Sequence, residues 1–483
     1  MNKRRWFIVV AFFIIIIVTQ SYIKGFYSYD TIKIYKMGYM QYAKKLFFAD
    51  GRVFSGIFLL IGNLLNIQPI NLYIISCILQ IIILIITMLY FADSISPICK
   101  NKKKITLYII SFITIFNFTN VDILQYVETS ILQLSILMYM MSAKYAIIDK
   151  NKKKMLVTLI IATFLYQGTI NVFFMMLIFY GLLRDKKLNK NLIKEEIKIL
   201  LYAIIPITIN YIYVKIYGKF CFTTNRIEKI TFQTIFDNFI YSIRSIRKIT
   251  YENIFTLPKN MYIFLILCLI IYSFILCLIK NKSNEKENTN INVFYNIIIM
   301  VVASIVISIP VTILFPVQLL SICGRMYWPI GAIFGLIYME LYLNSKYLHK
   351  PMLMILAFIY LITLFTGMYN IYSLNREANN IDKRICKEIQ NRIDSYEQEN
   401  ENKIDKIKIY RELIIDGGIS EKNVQTKMQK SFVCVFLPME DLIEMYCNID
   451  RNKVENINYK IIEFENDFDF YFDKDIVYVY IGI

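Results

Sequence analysis

Residues 71–91 read NLYIISCILQIIILIITMLYF, and residues 100–104 read KNKKK. The first stretch has no charged side chain and is long enough to cross a hydrocarbon core as helix, which takes about 20 residues. The second is a compact cationic loop of the kind left on the cytoplasmic side of a membrane. The same pairing recurs along the chain, and it decides the fold class: a polytopic α-helical membrane protein.

Composition agrees. Of 483 residues, 57% are hydrophobic and only 19% charged, with a mean hydropathy of +0.48. A soluble domain carries about 25% charged residues. The net charge of +17 sits in short loops between apolar runs. Orientation rules account for that placement, so no nucleic-acid partner is implied. The nine Cys are scattered without a CxxC pair, and Cys77, Cys268 and Cys277 lie inside apolar runs as small core residues. The single His349 lies in a basic loop, which argues against histidine catalysis and histidine metal clusters.

Working outward from residues 71–91, the basic segments fix the parity. Asn2-Lys3-Arg4-Arg5 places the N-terminus in the cytoplasm, ahead of a first span from Trp6 to about Gln20. No small-residue cleavage site follows that run, so it reads as a span and not a signal peptide. Val53–Ile67 is short and is followed by Pro69; it must lie along the outer surface or dip partway in, or residues 100–104 would face outside. Ile105–Thr119 goes out and Leu124–Ala146 returns to a second basic loop, residues 150–154. Met155–Leu183 begins and ends beside basic loops, so two short helices should meet at Tyr166-Gln167-Gly168 on the outer side. Ile199–Tyr217, Asn260–Ile279, Val293–Phe315, Tyr327–Leu343 and Pro351–Tyr372 complete about eleven transmembrane helices.

Residues 1–372 thus form the membrane domain. Its first outer loop carries interfacial helices within 27–67, and a large outer loop covers 218–259. Residues 373–483 are polar and form a small C-terminal extracytoplasmic α/β domain. Arg376–Glu399 reads as helix, with Ile381, Ile385, Ile389 and Ile393 in one stripe. Lys406–Tyr410, Phe432–Phe436 and Val477–Ile481 read as strands, and Asp416-Gly417-Gly418 as a turn.

The unusual polar residues collect on the outer side. They are Asp30, Arg52, Asp122, Glu128, Tyr166, Gln167, and the segment Cys323-Gly324-Arg325-Met326-Tyr327-Trp328-Pro329. An arginine fork at the membrane boundary can hold two phosphate oxygens at once. A carboxylate opposite can take a proton from a hydroxyl. Each residue also has a plainer reading. Asp30 can cap a helix, and Arg325 can snorkel beside Trp328 in an aromatic belt. Tyr166 and Gln167 can satisfy backbone groups where two short helices meet. Glu128 can be a solvated start of its span, and Glu340 lies near the inner end of a span as a structural residue.

Taken together, the arrangement resembles the integral-membrane glycosyltransferases of the GT-C superfamily. More closely, it is similar to the bacterial glucosyltransferase family that decorates O-antigen and related surface glycans. Ser28-Tyr29-Asp30 stands where that family carries Ser-Asp-Asp, Gly51-Arg52 matches its Gly-Arg element, Tyr166-Gln167 its Tyr-Gln, and Arg325 with Pro329 its late outer-loop Arg before a Pro. The likeness covers most of residues 1–375, and residues 373–483 match none of it. It implies a GT-C-like fold and an inverting hexosyl transfer, expected to be of glucose, on the outer leaflet of the cell membrane. The donor would be a polyprenyl-phosphate sugar and the acceptor a surface glycan or glycolipid of the cell envelope. Asp30 would be the general base. Arg52, Glu128, Tyr166, Gln167, Arg325 and Tyr327 would bind substrate, with Arg325 and Arg52 neutralising the departing lipid phosphate. Tyr29 replaces one acidic group of the family pattern, which leaves a divalent metal open and unassigned. A flippase and a donor-synthesising glycosyltransferase are the protein partners this chemistry implies. Two other classes share the gross features: a surface-polysaccharide polymerase or ligase, and a lipid or solute transporter. A transporter should bury charged or broken-helix sites near the midplane, and here the charges lie at the rim.

Overall fold

The computed structural model describes residues 3–99, 104–218, 231–252, 257–280, 287–314, 324–344, 350–411, 439–447, 449–457 and 468–481. Up to Asn400 the regular structure of the described residues is all helical. In chain order the helices are α1 (Lys3–Ile23), α2 (Tyr29–Lys44), α3 (Val53–Leu64), α4 (Pro69–Ile95), α5 (Lys104–Ile115), α6 (Asn120–Ile123), α7 (Thr129–Ile147) and α8 (Lys152–Tyr166). They continue as α9 (Asn171–Asp185), α10 (Lys190–Tyr217), α11 (Phe232–Arg247), α12 (Met261–Lys280), α13 (Glu287–Leu314), α14 (Trp328–Asn344), α15 (Lys350–Asn400) and α16 (Met439–Cys447).

Eight of the described helices are long and apolar enough to cross a membrane: α1, α4, α7, α10, α12, α13, α14 with the turn before it, and α15. The Met155–Leu183 stretch forms the expected pair of short helices, α8 and α9, bent by 113° at the Gln167–Thr169 turn. Helices α3 and α5 have 12 residues each. At 1.5 Å per residue such a helix is about 18 Å long, short of the ~30 Å hydrocarbon thickness. For α3 this fits the surface-lying reading of Val53–Ile67; for α5 the described helix is shorter than the Ile105–Thr119 span expected from sequence.

Burial sorts the helices into inner and outer ones. The apolar window leading into α14 is 89% buried, against 28% for α10 and α12. Helix α14 can be central because Gly335 lets it touch α5 directly and Gly331 the connection that follows α5. A Cβ on Gly335 would stand 2.7 Å from the Thr114 backbone nitrogen, and one on Gly331 2.8 Å from Thr119 Cγ2. This is the small-residue spacing by which membrane helices approach closely. Helices α4 and α7 are joined by polar side chains instead: Ser76 and Ser130 hydroxyls lie 2.9 Å apart, and Gln80 Nε2 donates to Gln133 Oε1 at 3.5 Å.

Helix α15 has 51 residues, about 77 Å of helix. It does not break between Tyr372 and Arg376, where sequence composition changes from apolar to polar. Its second half packs on a four-stranded sheet of β1 (Lys406–Arg411), β2 (Val454–Ile457), β3 (Phe468–Asp473) and β4 (Ile476–Ile481), in the order β2-β1-β4-β3. β1 runs parallel to β2 and β4, and β3 pairs antiparallel with β4. Alternating residues Ile407, Ile409, Val477, Val479 and Ile481 turn to the core and meet Cys386, Ile389 and Ile393 of α15. Ile381 and Ile385, expected in the same stripe, are only half-buried. Strands β1 and β4 fall where sequence places them. The expected strand at 432–436 and turn at 416–418 lie outside the described residues.

Candidate functional site

Helices α7 and α8 form a hairpin whose connection is the basic loop at Lys150–Lys154. Glu128, just before α7, and Tyr166, which ends α8, therefore lie together at the opposite end of the bundle. Three other segments reach that end: the α2–α3 connection at Asp50-Gly51-Arg52, the α5–α7 connection carrying Asp122, and the turn Gly324–Tyr327 before α14.

Two guanidinium groups share one tyrosine there. Arg52 Cζ lies 4.6 Å from the centre of the Tyr166 ring, and Arg325 Cζ 5.5 Å from it. Arg325 Nε donates to the Tyr166 hydroxyl at 2.6 Å. Arg325 also lies over Tyr126, 4.1 Å from the ring centre. Its backbone N and its Nη1 both donate to Asp122 Oδ2, each at 3.0 Å. Arg325 is buried, as are Trp328 and Asp122. The snorkelling reading of Arg325 therefore fails: its charge is met inside the protein, and Trp328 is packed in the core.

The second pair is looser. Arg52 Nη1 stands 3.6 Å from Glu128 Oε1, beyond hydrogen-bond distance. Arg52 Nε, Glu128 Oε2 and Gln167 Oε1 are buried with no hydrogen-bond partner. Glu128 is 1% exposed, so it is not the solvated helix start that its position suggests. Burial raises its pKa above the usual carboxylate range, Asp30 adds to the rise, and Arg52 opposes it.

Local backbone is held by the same residues. Gln167 Nε2 donates to the Asp50 carbonyl at 2.6 Å, and Asn210 Nδ2 to the Gly51 carbonyl at 3.0 Å. Gly51 has φ of +64°, and a Cβ there would stand 2.7 Å from Val214 Cγ2. Asn171 Nδ2 donates to the Met326 carbonyl and ties the α8–α9 bend to the turn carrying Arg325.

Asp30 opens α2 and is partly exposed, with Lys33 Nζ 3.9 Å from its Oδ1. The Tyr42 hydroxyl is hydrogen-bonded to Asp30. Burial, with the Asp30 and Glu128 carboxylates near it, holds that hydroxyl well above its ordinary range. Asp30 thus belongs to the same electrostatic neighbourhood as Glu128, Arg52 and Arg325. Tyr327, in the turn that carries Arg325, is 1% exposed within the main apolar core. Glu340 accepts from Asn296 Nδ2 at 3.1 Å, far along α14 from the arginines. Among the described residues, no group of three or more His, Cys, Asp and Glu could hold a metal ion.

Sequence reading counted Asp122 among the outer-side residues without a role for it, and did not single out Tyr126 or Tyr42. Asp122 carried a signal, an acidic residue at a span boundary. Tyr126 and Tyr42 had none, because tyrosine is abundant throughout. Comparison with protein-family descriptions, characterised proteins and solved structures finds no match to this chain.

Proposed function

We propose that the chain is a membrane glycosyltransferase of GT-C type that moves a hexose from a polyprenyl-phosphate donor to a cell-surface glycan. Counting α5 and both arms of the α8–α9 bend as crossings, beside the eight long helices, gives the eleven spans of this reading. The observation that carries the function is the set of unmatched buried atoms. Arg52 Nε–H lacks an acceptor, while Glu128 Oε2 and Gln167 Oε1 lack donors. A sugar phosphate supplies both kinds of group: phosphate oxygens for the arginine, hydroxyls for the two acceptors.

In the reaction the acceptor hydroxyl oxygen bonds to the anomeric carbon and the bond from that carbon to the phosphate oxygen breaks. The hydroxyl proton passes to a carboxylate, and the lipid phosphate leaves with the bonding pair. Asp30 is the base in this reading, because it is the carboxylate of the cluster with access to an incoming acceptor. Arg52 and Arg325 offset the charge that grows on the phosphate, in surroundings where preorganised charge is most effective. The raised pKa and unmatched oxygen of Glu128 favour a second assignment, in which Glu128 takes the proton.

Transfer from polyprenyl-phosphate glucose in membranes tests the proposal. Asp30→Asn should lose about 10²–10⁴ in rate while still binding the lipid. Full transfer by Asp30→Asn, with loss in Glu128→Gln, would move the base to Glu128. No transfer of any polyprenyl-phosphate hexose by the native chain would sink the reading.

A further inference from the structure

The segment that carries Asp30 is held between the helical bundle and the C-terminal domain. Tyr27 and Ile32 are buried, and both belong to the apolar core of the C-terminal domain with Cys386, Ile389, Leu442 and Ile443, not to that of the bundle. The Tyr27 backbone N donates to Asn379 Oδ1 at 3.0 Å, and its hydroxyl donates to Asp382 Oδ2 at 3.0 Å. The ring stands 5.5 Å from that of Tyr446 on α16. One turn further along α2, Lys36 Nζ lies 3.6 Å from the buried carboxylate of Asp441. On the bundle side, Tyr22 stacks on Phe26 at 4.1 Å, and Asn375 Nδ2 donates to the Tyr22 hydroxyl at 2.5 Å. The Phe26 ring also lies 5.8 Å from that of Tyr73 on α4, and Ile34 packs in the bundle core, whereas the Tyr27 hydrogen bonds to Asn379 and Asp382 go to α15. Ser28, Tyr29 and Asp30 follow directly from Tyr27, so where Tyr27 is pinned sets the entry into α2, beside the contacts Asp30 makes with Tyr42 and Lys33.

We infer that Tyr27 is a positioning residue, through which the C-terminal domain sets the position of Asp30 at the mouth of the two-arginine cluster. The inference rests on the proposed transferase reading for its kinetic consequence and on the contacts above for its structural one. The physical argument is about freedom. The connection from α1 into α2 sets how the first turn of α2, with Asp30 in it, is presented, and each unproductive placement lowers the reactive fraction. A buried tyrosine bonded to a buried carboxylate restricts that freedom, since breaking the bond gives up a charge-assisted hydrogen bond away from water. A soluble domain joined to the membrane helices by one unbroken helix is a rigid base for such a clamp.

The test uses the full chain in lipid nanodiscs. Tyr27→Phe keeps the ring against Tyr446 and removes only the hydroxyl. Amide exchange at residues 28–34 should rise about tenfold or more, the factor expected for losing a hydrogen bond to a charged group. Exchange in α4 and α7 should stay as in the native chain. With polyprenyl-phosphate glucose, kcat should fall by about tenfold while KM for the donor stays within about twofold, because the phosphate contacts are untouched. Tyr360→Phe, which removes a buried hydroxyl elsewhere in the bundle, should leave both parameters unchanged. Unchanged exchange at 28–34 in Tyr27→Phe overturns the inference whatever the activity. Raised exchange with unchanged kcat overturns it as well, because the segment would then move without consequence. If Asp30→Asn itself keeps full transfer, the base assignment fails instead, and a Tyr27→Phe loss of kcat at constant KM would then assign the clamp to another group of the segment.

Discussion

Arg325 donates to one oxygen of Asp122 twice, from its backbone N and from Nη1, at 3.0 Å in both cases. The two residues are 203 positions apart in sequence. The contact fixes the guanidinium in the plane that lets Nε reach the Tyr166 hydroxyl. Asp122 therefore acts on Arg325 in two ways: it orients the fork, and it offsets part of its charge. In the proposed transfer, a partly neutralised, oriented arginine would suit both binding and release of the lipid phosphate.

Removing one partner should cost more than removing both. Asp122→Ala leaves a buried guanidinium without its counter-charge, a change that typically costs about 3–5 kcal/mol. The double variant Asp122→Leu with Arg325→Met should unfold at a higher temperature than Asp122→Ala, because neither charge of the pair is left without the other. Thermal unfolding in detergent reads the order. If the double variant is the less stable of the two, the pair is not an ion pair of consequence to the fold.

Phosphate binding should separate from turnover. Arg52→Ala and Arg325→Ala should each weaken polyprenyl-phosphate binding by about tenfold to a hundredfold, the range for a charged hydrogen bond of 1.5–3 kcal/mol. Arg325→Lys should recover only part of the loss, since an ammonium keeps the charge but cannot hold Asp122, Tyr166 and a phosphate oxygen in one plane. Lipid binding measured on each variant decides it, and equal affinity in Arg325→Lys and the native chain would remove the fork geometry from the account.

Glu128 gives a pH signature. Its pKa is raised in the folded chain, chiefly by burial and then by Asp30. The folded state therefore holds the proton more tightly than the unfolded chain does. The stability this contributes is complete below the ordinary carboxylate value of about 4.3 and is lost as pH rises through the raised folded value. Glu128→Gln mimics the protonated form and should not show that loss. The melting temperature of Glu128→Gln relative to native should rise with pH across this window and then level. A difference that stays flat from pH 4 to pH 8 would contradict the burial argument.

Gly51 should resist substitution. At φ of +64° any other residue is strained, and a Cβ would press on Val214 Cγ2 at 2.7 Å and on Asn210. Gly51→Ala should cost about 1–3 kcal/mol of stability. It should also weaken donor binding, because Arg52 is the next residue and Gln167 holds the preceding carbonyl. Unfolding and lipid-binding measurements on Gly51→Ala check both, and a neutral result in each would show that the α2–α3 connection has room to relax.

The membrane helices were legible in sequence because length and hydropathy act locally, and residues 71–91 need no partner to be read as a span. Arg52, Tyr166, Gln167 and Arg325 were legible as polar residues on the outer side, and the structure brings them together. Asp122 as the partner of Arg325 was not legible, since nothing within a window of either residue records a contact across 203 positions. The unbroken α15 was missed for the opposite reason. The switch from apolar to polar near Tyr372 marks a change of surroundings, while no Gly or Pro occurs from Tyr372 to Asn400 to stop the helix. Strand β2 has only four residues, Val454–Ile457, and its pattern is too short to stand out. The role of Tyr27 could not be read at all, because its hydroxyl finds Asp382 only after α15 has extended beyond the bundle.

The orientation of the whole assembly can be settled by labelling. Lys153 is exposed at the start of α8, and Tyr166 ends the same helix at the cluster. Helix α15 begins at Lys350, passes Tyr22 by way of Tyr372 and Asn375, and carries the C-terminal domain past Tyr27. The two-arginine cluster and the C-terminal domain should therefore lie on one side of the membrane, and the Lys150–Lys154 loop on the other. The positive-inside rule then puts the loop in the cytoplasm. Lys153→Cys and Lys474→Cys, both at exposed positions, should take up an impermeant maleimide from opposite sides, measured as the gain over the native chain. Intact cells should label Lys474→Cys, and only opened membranes should label Lys153→Cys. Labelling of both from one side would break the hairpin argument, and the reverse pattern would put the cluster in the cytoplasm. In that case an outer-leaflet sugar donor could not reach Arg52 or Arg325.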